Sequence, residues 1–326
     1  MATVQQIIAL VRSYARGDDE RFMDLADKAA DEAVRRGQAK AASELKALLV
    51  EARGRQGVIQ KSRDPIPLHR PRGDLIGIMS LAMPDTRLSR MVLSEVLLNR
   101  LTKVVKEQRQ RGKLIERSLE PRRKFLLTGP PGTGKTMSAA AIAGELGLPL
   151  FTVLLDGLIT KFMGETAAKL RLVFEAMTER RGVYFFDEVD ALATSRGADN
   201  DVGEARRILN SFLQFLDEDK STSLIFAATN HPELLDKAFF RRFQATIEYA
   251  LPEDELVRPI IENAIYAFDL VEIDWELVLE HSRGLSHADL VAASNDAARD
   301  AVLDHDGKIN TQILIGSLKE NRRHPR

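Results

Sequence analysis

The sequence predicts an α/β fold: a parallel sheet flanked by helices, with a small helical bundle ahead of it. Three observations carry this. Gly129-Pro130-Pro131-Gly132-Thr133-Gly134-Lys135-Thr136 lies between an apolar run at 124–128 and an Ala-rich stretch at 137–146 that stops near Gly147 and Pro149. A second apolar run, 183–186, ends in the acids Asp187 and Glu188. Residues 3–53 instead repeat apolar side chains at helical spacing. Continuous apolar runs are the mark of strands buried on both faces, as parallel strands are, and the i, i+3, i+4, i+7 pattern is the mark of an amphipathic helix.

The octapeptide fits G-x-x-x-x-G-K-[ST], and strand, loop, helix is the context that motif needs. Its glycines let the backbone curl so that N–H groups face a triphosphate, and the helix N-terminus adds its positive end. Lys135 then bridges the β- and γ-phosphates of ATP, and the Thr136 hydroxyl holds Mg²⁺. Pro131, Gly132, Thr133, Gly134, Lys135, Thr136 and the following Met137 are the candidate nucleotide contacts.

A chain of 326 residues, 44% hydrophobic and 29% charged, suggests two domains with a small third piece. A net charge of -1 gives no global pull toward nucleic acid or an anionic membrane. The absence of cysteine excludes disulfides and thiolate metal sites and fits a reducing cytoplasm. No window has the apolar length of a membrane span, and the N-terminus lacks the pattern of a signal peptide. The histidines show no i, i+4 pairing, so no zinc is expected.

In chain order, 1–53 reads as a three-helix bundle with stripes at Val4, Ile7, Ile8 and Val11, at Phe22, Leu25, Ala26 and Ala29, and at Ala41, Leu45, Leu48 and Leu49. It lies outside the catalytic core, which suits a docking module for a partner or substrate. Residues 54–74 form a basic linker in which Pro65, Pro67 and Pro71 forbid a continuous helix. Residues 75–252 form the large α/β part. Its first predicted helix runs from Leu88 to Gly112, with Arg100, Lys103, Lys106, Arg109 and Arg111 on a face that is either solvated or set against a neighbouring subunit. Strands are predicted at 150–155, 183–186 and 223–229. Asp187, at the carboxyl end of its strand, can support the Mg²⁺ shell through water, and Glu188 can orient and polarise the attacking water. Asn230, after the next strand, can hold that water. Arg241-Arg242 beside Phe243 offers two fixed charges suited to a phosphoryl transition state.

Taken together, GPPGTGKT, YFFDEVDAL at 184–192, AATN at 227–230 and LDKAFFRRFQATIEYALP at 235–252 resemble the AAA+ ATPases of the classical AAA clade, over residues 88–304. The resemblance implies a P-loop NTPase with a parallel sheet flanked by helices and a helical lid subdomain at 253–304 within a segment reaching 326, to which the N-terminal bundle read from helical spacing is added. It implies ATP hydrolysis with Mg²⁺. It also implies an oligomeric ring, usually a hexamer, in which Arg241 and Arg242 reach the site of the neighbouring subunit. Gly284-Leu285-Ser286-His287-Ala288-Asp289-Leu290 resembles the lid motif G-x-S-G-A-D-L with His287 in place of glycine, which puts adenine contacts around Ala288. Phe162, Met163 and Gly164 resemble the loop that lines the central pore, and apolar side chains there can grip any polypeptide. The function implied is a ring motor that remodels, unfolds or threads a protein, with a separate peptidase or adaptor bound through the N-terminal bundle. A DNA-acting motor or loader and a nucleotide-gated assembly switch are the alternatives. Phe162 and Met163 offer no cation to phosphates, and the intact Glu188, Asn230 and arginine pair argue against a mere switch.

Overall fold

The polar ends of three neighbouring strands meet the phosphate loop because of how the sheet is ordered. The structure, a computed structural model, describes residues 25–26, 28, 30, 75, 77–155, 165–192 and 201–323, with 201–206 as backbone only. The chain divides into two units, Met1–His69 and Arg70–Arg326. In the first, Leu25, Ala26, Lys28 and Ala30 are helical; all but Lys28 are buried. The rest of the predicted bundle and the 54–74 linker lie outside the described residues.

The second unit holds a six-stranded sheet: β1 (Met79–Ala82), β2 (Lys124–Thr128), β3 (Leu150–Val153), β4 (Val183–Phe186), β5 (Leu224–Thr229) and β6 (Ala245–Glu248). The order is β1-β3-β4-β5-β2-β6, with only β1 antiparallel to its neighbour. The strands alternate between two cores. Leu126, Tyr184, Phe186, Ile225 and Ala227 face one. Phe125, Leu127, Val183, Phe185, Leu224 and Phe226 face the other. Two buried faces explain the unbroken apolar runs. The first face is covered by α4 (Glu165–Glu179) and α5 (Asp201–Glu218). The second is covered by α1 (Glu95–Arg109), followed by the short α2 (Arg111–Ile115), and by α3 (Lys135–Leu146).

The helix expected from Leu88 to Gly112 is not continuous. Leu88–Arg90 is a 3-10 turn, Met91 is extended, and α1 begins at Glu95 after Ser94, whose side chain accepts from Leu97 N at 3.4 Å. Leu88 and Met91 still enter the same core as Leu97 and Leu101, so their spacing imitates a helix. The segment before them crosses α3 so closely that a Cβ on Gly144 would collide with the Thr86 carbonyl.

After the short α6 (Lys237–Phe240) and β6 comes the lid: α7 (Asp254–Ala264), α8 (Trp275–Ser282), α9 (His287–Asp304) and α10 (Thr311–Arg323), with a two-stranded parallel pair, β7 (Asp269–Leu270) and β8 (Lys308–Ile309). The lid does not stop near residue 304. Leu314, Ile315 and Leu318 of α10 are buried in its core beside Ile261, Leu290 and Ala297. No described helix is long and apolar enough to cross a membrane.

Candidate nucleotide-binding site

The loop between β2 and α3 is shaped by positive-φ glycines: Gly129 at 138°, Gly132 at 71° and Gly134, the residue before α3, at 96°. Only glycine takes such angles without strain. Two of them also lack room for a side chain. A Cβ on Gly129 would strike the Tyr249 carbonyl oxygen, and one on Gly132 would strike the Ser286 hydroxyl. Thr133 Oγ1 donates to the Pro130 carbonyl at 2.8 Å and is buried. Pro131 and Met137 are exposed on either side of the turn.

Lys135 Nζ donates to the carbonyls of Gly129 (2.7 Å) and Pro130 (2.8 Å). Burial lowers its pKa, opposed by the charges of Asp187 and Asp190. Thr136 Oγ1 donates to Asp187 Oδ2 at 3.1 Å, so the two predicted Mg²⁺-binding groups stand together. Asp187 Oδ1 accepts from Glu188 N at 3.0 Å, and Glu188, exposed, sits at φ 51° in the left-handed region. A non-glycine residue held there is a strained position of the kind that clusters at functional sites.

Sheet register brings β5 to the same edge. Thr128 pairs with Thr229, and Gly129 N donates to the Thr229 carbonyl at 3.3 Å. Thr229 Oγ1 donates to Asp190 Oδ1 at 2.7 Å, which ties the end of β5 to the turn after β4. Asn230 follows directly, half-buried. Thus Lys135, Thr136, Asp187, Glu188 and Asn230 lie at the carboxyl ends of the neighbouring strands β2, β4 and β5 or on the first turn of α3, where open α/β sheets bind ligands.

Arg241 and Arg242 follow α6, which Asp236 caps by accepting from Phe239 N at 2.8 Å. Phe239 and Phe243 are buried, which pins the segment, while both arginines are exposed. Arg242 Nε pairs with Asp217 Oδ2 of α5 at 3.0 Å. Phe162, Met163 and Gly164 lie outside the described residues.

The lid reaches the loop through Ala288, whose N–H donates to the Gly132 carbonyl at 3.0 Å. Ser286 and Asp289 form a capping box on α9: Asp289 N donates to Ser286 Oγ at 3.2 Å and Ser286 N donates to Asp289 Oδ2 at 2.9 Å. Neither ring nitrogen of the neighbouring His287 has a hydrogen-bond partner of good geometry, and burial lowers its pKa, opposed by the Val92 backbone.

These features fit a nucleotide with its metal. The loop is a backbone cradle that side chains would fill, the buried Lys135 places its ammonium in it, and Thr136 and Asp187 supply the hard oxygen donors that Mg²⁺ takes.

A family model for the ATPase family associated with various cellular activities (AAA) matches residues 125–251. An "Uncharacterized AAA family ATPase y4kL" of Sinorhizobium fredii is 31% identical over 99% of this chain and 96% of its own length. The chain belongs to the AAA family of ATPases. Other AAA relatives match in part. The proteasome-activating nucleotidase of Methanothermobacter thermautotrophicus is 31% identical over 80% of this chain and 64% of its own. The ATP-dependent zinc metalloprotease FtsH of Marinobacter nauticus is 38% identical over 58% of this chain, which spans only 31% of that protein. The crystal structure of the FIGL-1 AAA domain superposes with a TM-score of 0.61 at 27% identity, covering 79% of this chain and 91% of that one.

Three contacts of this AAA ATPase were missed by motif reading: Tyr249 behind Gly129, Asp190 on Thr229, and Ser286 against Gly132. Only the last left a signal, since Ser286-His287-Ala288-Asp289 has the spacing of a capping box.

Proposed function

We propose that this AAA ATPase works as a homo-oligomeric ring, a hexamer, that couples ATP hydrolysis to remodelling, unfolding or threading a protein through a central pore. The observation that carries it is a division of the chemistry. Lys135, Thr136, Asp187 and Glu188 gather at one strand edge, whereas Arg241 and Arg242 are exposed and Arg242 pairs with Asp217. Exposed, fixed cations suit a site completed by a neighbouring copy.

In this reading Lys135 holds the β- and γ-phosphates, while Thr136, and Asp187 through water, hold Mg²⁺. Mg²⁺ held by these residues would supply positive charge against the charge that develops on the transferring phosphoryl group. Glu188 accepts the proton of the attacking water, Asn230 fixes that water, and Arg241 and Arg242 of the next copy stabilise the transferring group. Ala288 borders the adenine. Phe162, Met163 and Gly164 grip the substrate in the pore, and the 1–53 bundle recruits an adaptor or a separate peptidase in the cytoplasm. Kinship to an ATP-dependent protease and a proteasome-activating nucleotidase supports a protein substrate over nucleic acid.

Glu188→Gln tests the reading: it should bind ATP, assemble and fail to turn over. Its ATP-dependent captures, identified by mass spectrometry, should be polypeptides whose retention is lost in Phe162→Ala. Near wild-type hydrolysis by Glu188→Gln would remove Glu188 from its role, and captures unaffected by Phe162→Ala would sink the threading role.

A further inference from the structure

Thr229, the last residue of β5, is 1% exposed, and its hydroxyl is used twice. It donates to Asp190 Oδ1 at 2.7 Å and accepts from His231 N at 2.9 Å. A threonine hydroxyl that accepts from the amide two residues on closes a tight turn. The residue inside that turn is Asn230. The chain is anchored on one side of it by the pairing of Thr229 with Thr128, and on the other by the hydroxyl bond to His231.

The other end of the bond reaches Glu188. Asp190 lies in the 3-10 turn Val189–Leu192, where Ala191 N donates to the Glu188 carbonyl at 2.9 Å. Glu188 sits at φ 51°, and such backbone persists only where its surroundings over-determine it. β4 and β5 are paired neighbours, but their ladder ends at Phe186 and Ala227. Glu188 and Asn230 both lie beyond that point, where the ladder no longer sets the spacing between the two chains. The Thr229–Asp190 hydrogen bond crosses this gap. A carboxylate acceptor makes it charge-assisted, the short and strong class of such bonds.

We propose that Thr229 and Asp190 are positioning residues for hydrolysis: their hydrogen bond sets the spacing between Glu188 and Asn230, so that base and amide converge on one water. The inference rests on the roles given above to Glu188 and Asn230 and adds what holds them in register. Thr229 and Asp190 act through those two residues, without touching the nucleotide or the water. A general base works only within hydrogen-bond reach of the proton it takes. A misplacement of about 1 Å, caused by a change away from the reacting groups, can cost about a hundredfold in rate.

The test compares steady-state hydrolysis by the full chain with its Kd for a non-hydrolysable ATP analogue. Thr229→Val removes both hydroxyl bonds. It should lower kcat about tenfold or more and leave the Kd within about twofold. Thr229→Ser keeps the hydroxyl and should stay within about threefold of wild type. Asp190→Ala removes only the bond across the gap and should lose kcat as Thr229→Val does, which keeps the comparison if the valine variant does not fold. Asn230→Ala should also be slow. Combined with Thr229→Val, it should lose less than the product of the two single losses, by at least about threefold, because residues that act through one another are not additive. Amide hydrogen exchange of the nucleotide-free chain gives a readout free of catalysis. Thr229→Val should raise exchange at Ala191 as well as at His231, although the Ala191 amide bonds to Glu188 and not to Thr229, while β2 stays as in wild type. Wild-type kcat in Thr229→Val or Asp190→Ala, no recovery in Thr229→Ser, a double variant showing the full product, or unchanged exchange at Ala191 would overturn the positioning role and leave Glu188 and Asn230 in theirs. An equal loss of nucleotide affinity would overturn it too, since Thr229 would then act on the phosphate loop through its carbonyl bond to Gly129 N. Wild-type hydrolysis by Asn230→Ala would overturn both this role and that of Asn230.

Discussion

Gly129 and Gly132, three residues apart in one loop, face walls of different kinds. Gly129 backs onto the carbonyl of Tyr249, whose own N–H is bonded to Thr128 at 2.7 Å. That wall is backbone, pinned to the sheet. Gly132 faces Ser286 and Ala288, which belong to the lid and touch the loop through one backbone hydrogen bond. That wall can retreat as a body. The loop is thus held between a fixed surface and one that can follow the nucleotide.

Replacing each glycine by alanine would break the symmetry between them. Gly129→Ala adds a Cβ against a backbone oxygen that cannot give, at a φ of 138°, and should cost more than about 4 kcal/mol, a range reserved for such clashes. Gly132→Ala meets a lid that can shift. The left-handed strain of about 1–2 kcal/mol remains, so the variant should fold and bind nucleotide roughly tenfold more weakly. Thermal unfolding and nucleotide titration of both variants decide the matter. Equal losses would mean that the lid wall is as rigid as the sheet wall.

Ser286→Ala sharpens the comparison from the lid side. It removes the hydroxyl that accepts from Asp289 N but leaves Asp289 bonded to the residue 286 amide. The cost should be about 0.5–2 kcal/mol. Hydrogen exchange should rise at the first turn of α9 and stay unchanged in β2. Protection unchanged at residues 288–290 would mean that the capping box does not hold the lid contact.

The two walls also differ in how much of them could be read in the sequence. The phosphate loop, the β4 acids and Asn230 were legible because local backbone demand and two-sided burial leave marks on neighbouring residues. Glycine at 129, 132 and 134 and unbroken apolar runs at 183–186 and 224–229 are such marks. Contacts made across long chain separations leave none. Nothing local announces that Tyr249 stands behind Gly129 or that Asp190 accepts from Thr229. The start of α1 was misread because buried Leu88 and Met91 keep a helical spacing while the chain there is a 3-10 turn followed by extended backbone. The lid was cut short for a similar reason: α10 follows the turn at Gly307 and the short β8, which read as an ending rather than a corner.

The smallest expected effect belongs to His287, which stands where the movable wall meets the rest of the site. Its ring nitrogens are buried beside Val92, one residue from Met91, and its neighbour Ala288 carries the bond to Gly132. Burial lowers its pKa below the ordinary value of about 6.5. The unfolded chain therefore binds a proton that the folded chain refuses, and stability must fall as pH drops below about 6.5 until the folded-state pKa is passed. Above that pH both states are neutral and the contribution vanishes. His231 and His305 are exposed, so the difference between wild type and His287→Phe isolates the buried ring. Between about pH 6.5 and 5.5 the wild type should lose up to about 1 kcal/mol that His287→Phe does not, the size expected from less than one unit of relative proton binding. Nucleotide affinity should fall only at lower pH, below the folded-state pKa, where the folded chain takes up the proton and a charged ring in an apolar setting disturbs the segment that carries Ala288. Parallel pH profiles for the two proteins would show that this edge of the lid does not move when the ring is charged, and would return Gly132 to a rigid wall like that of Gly129.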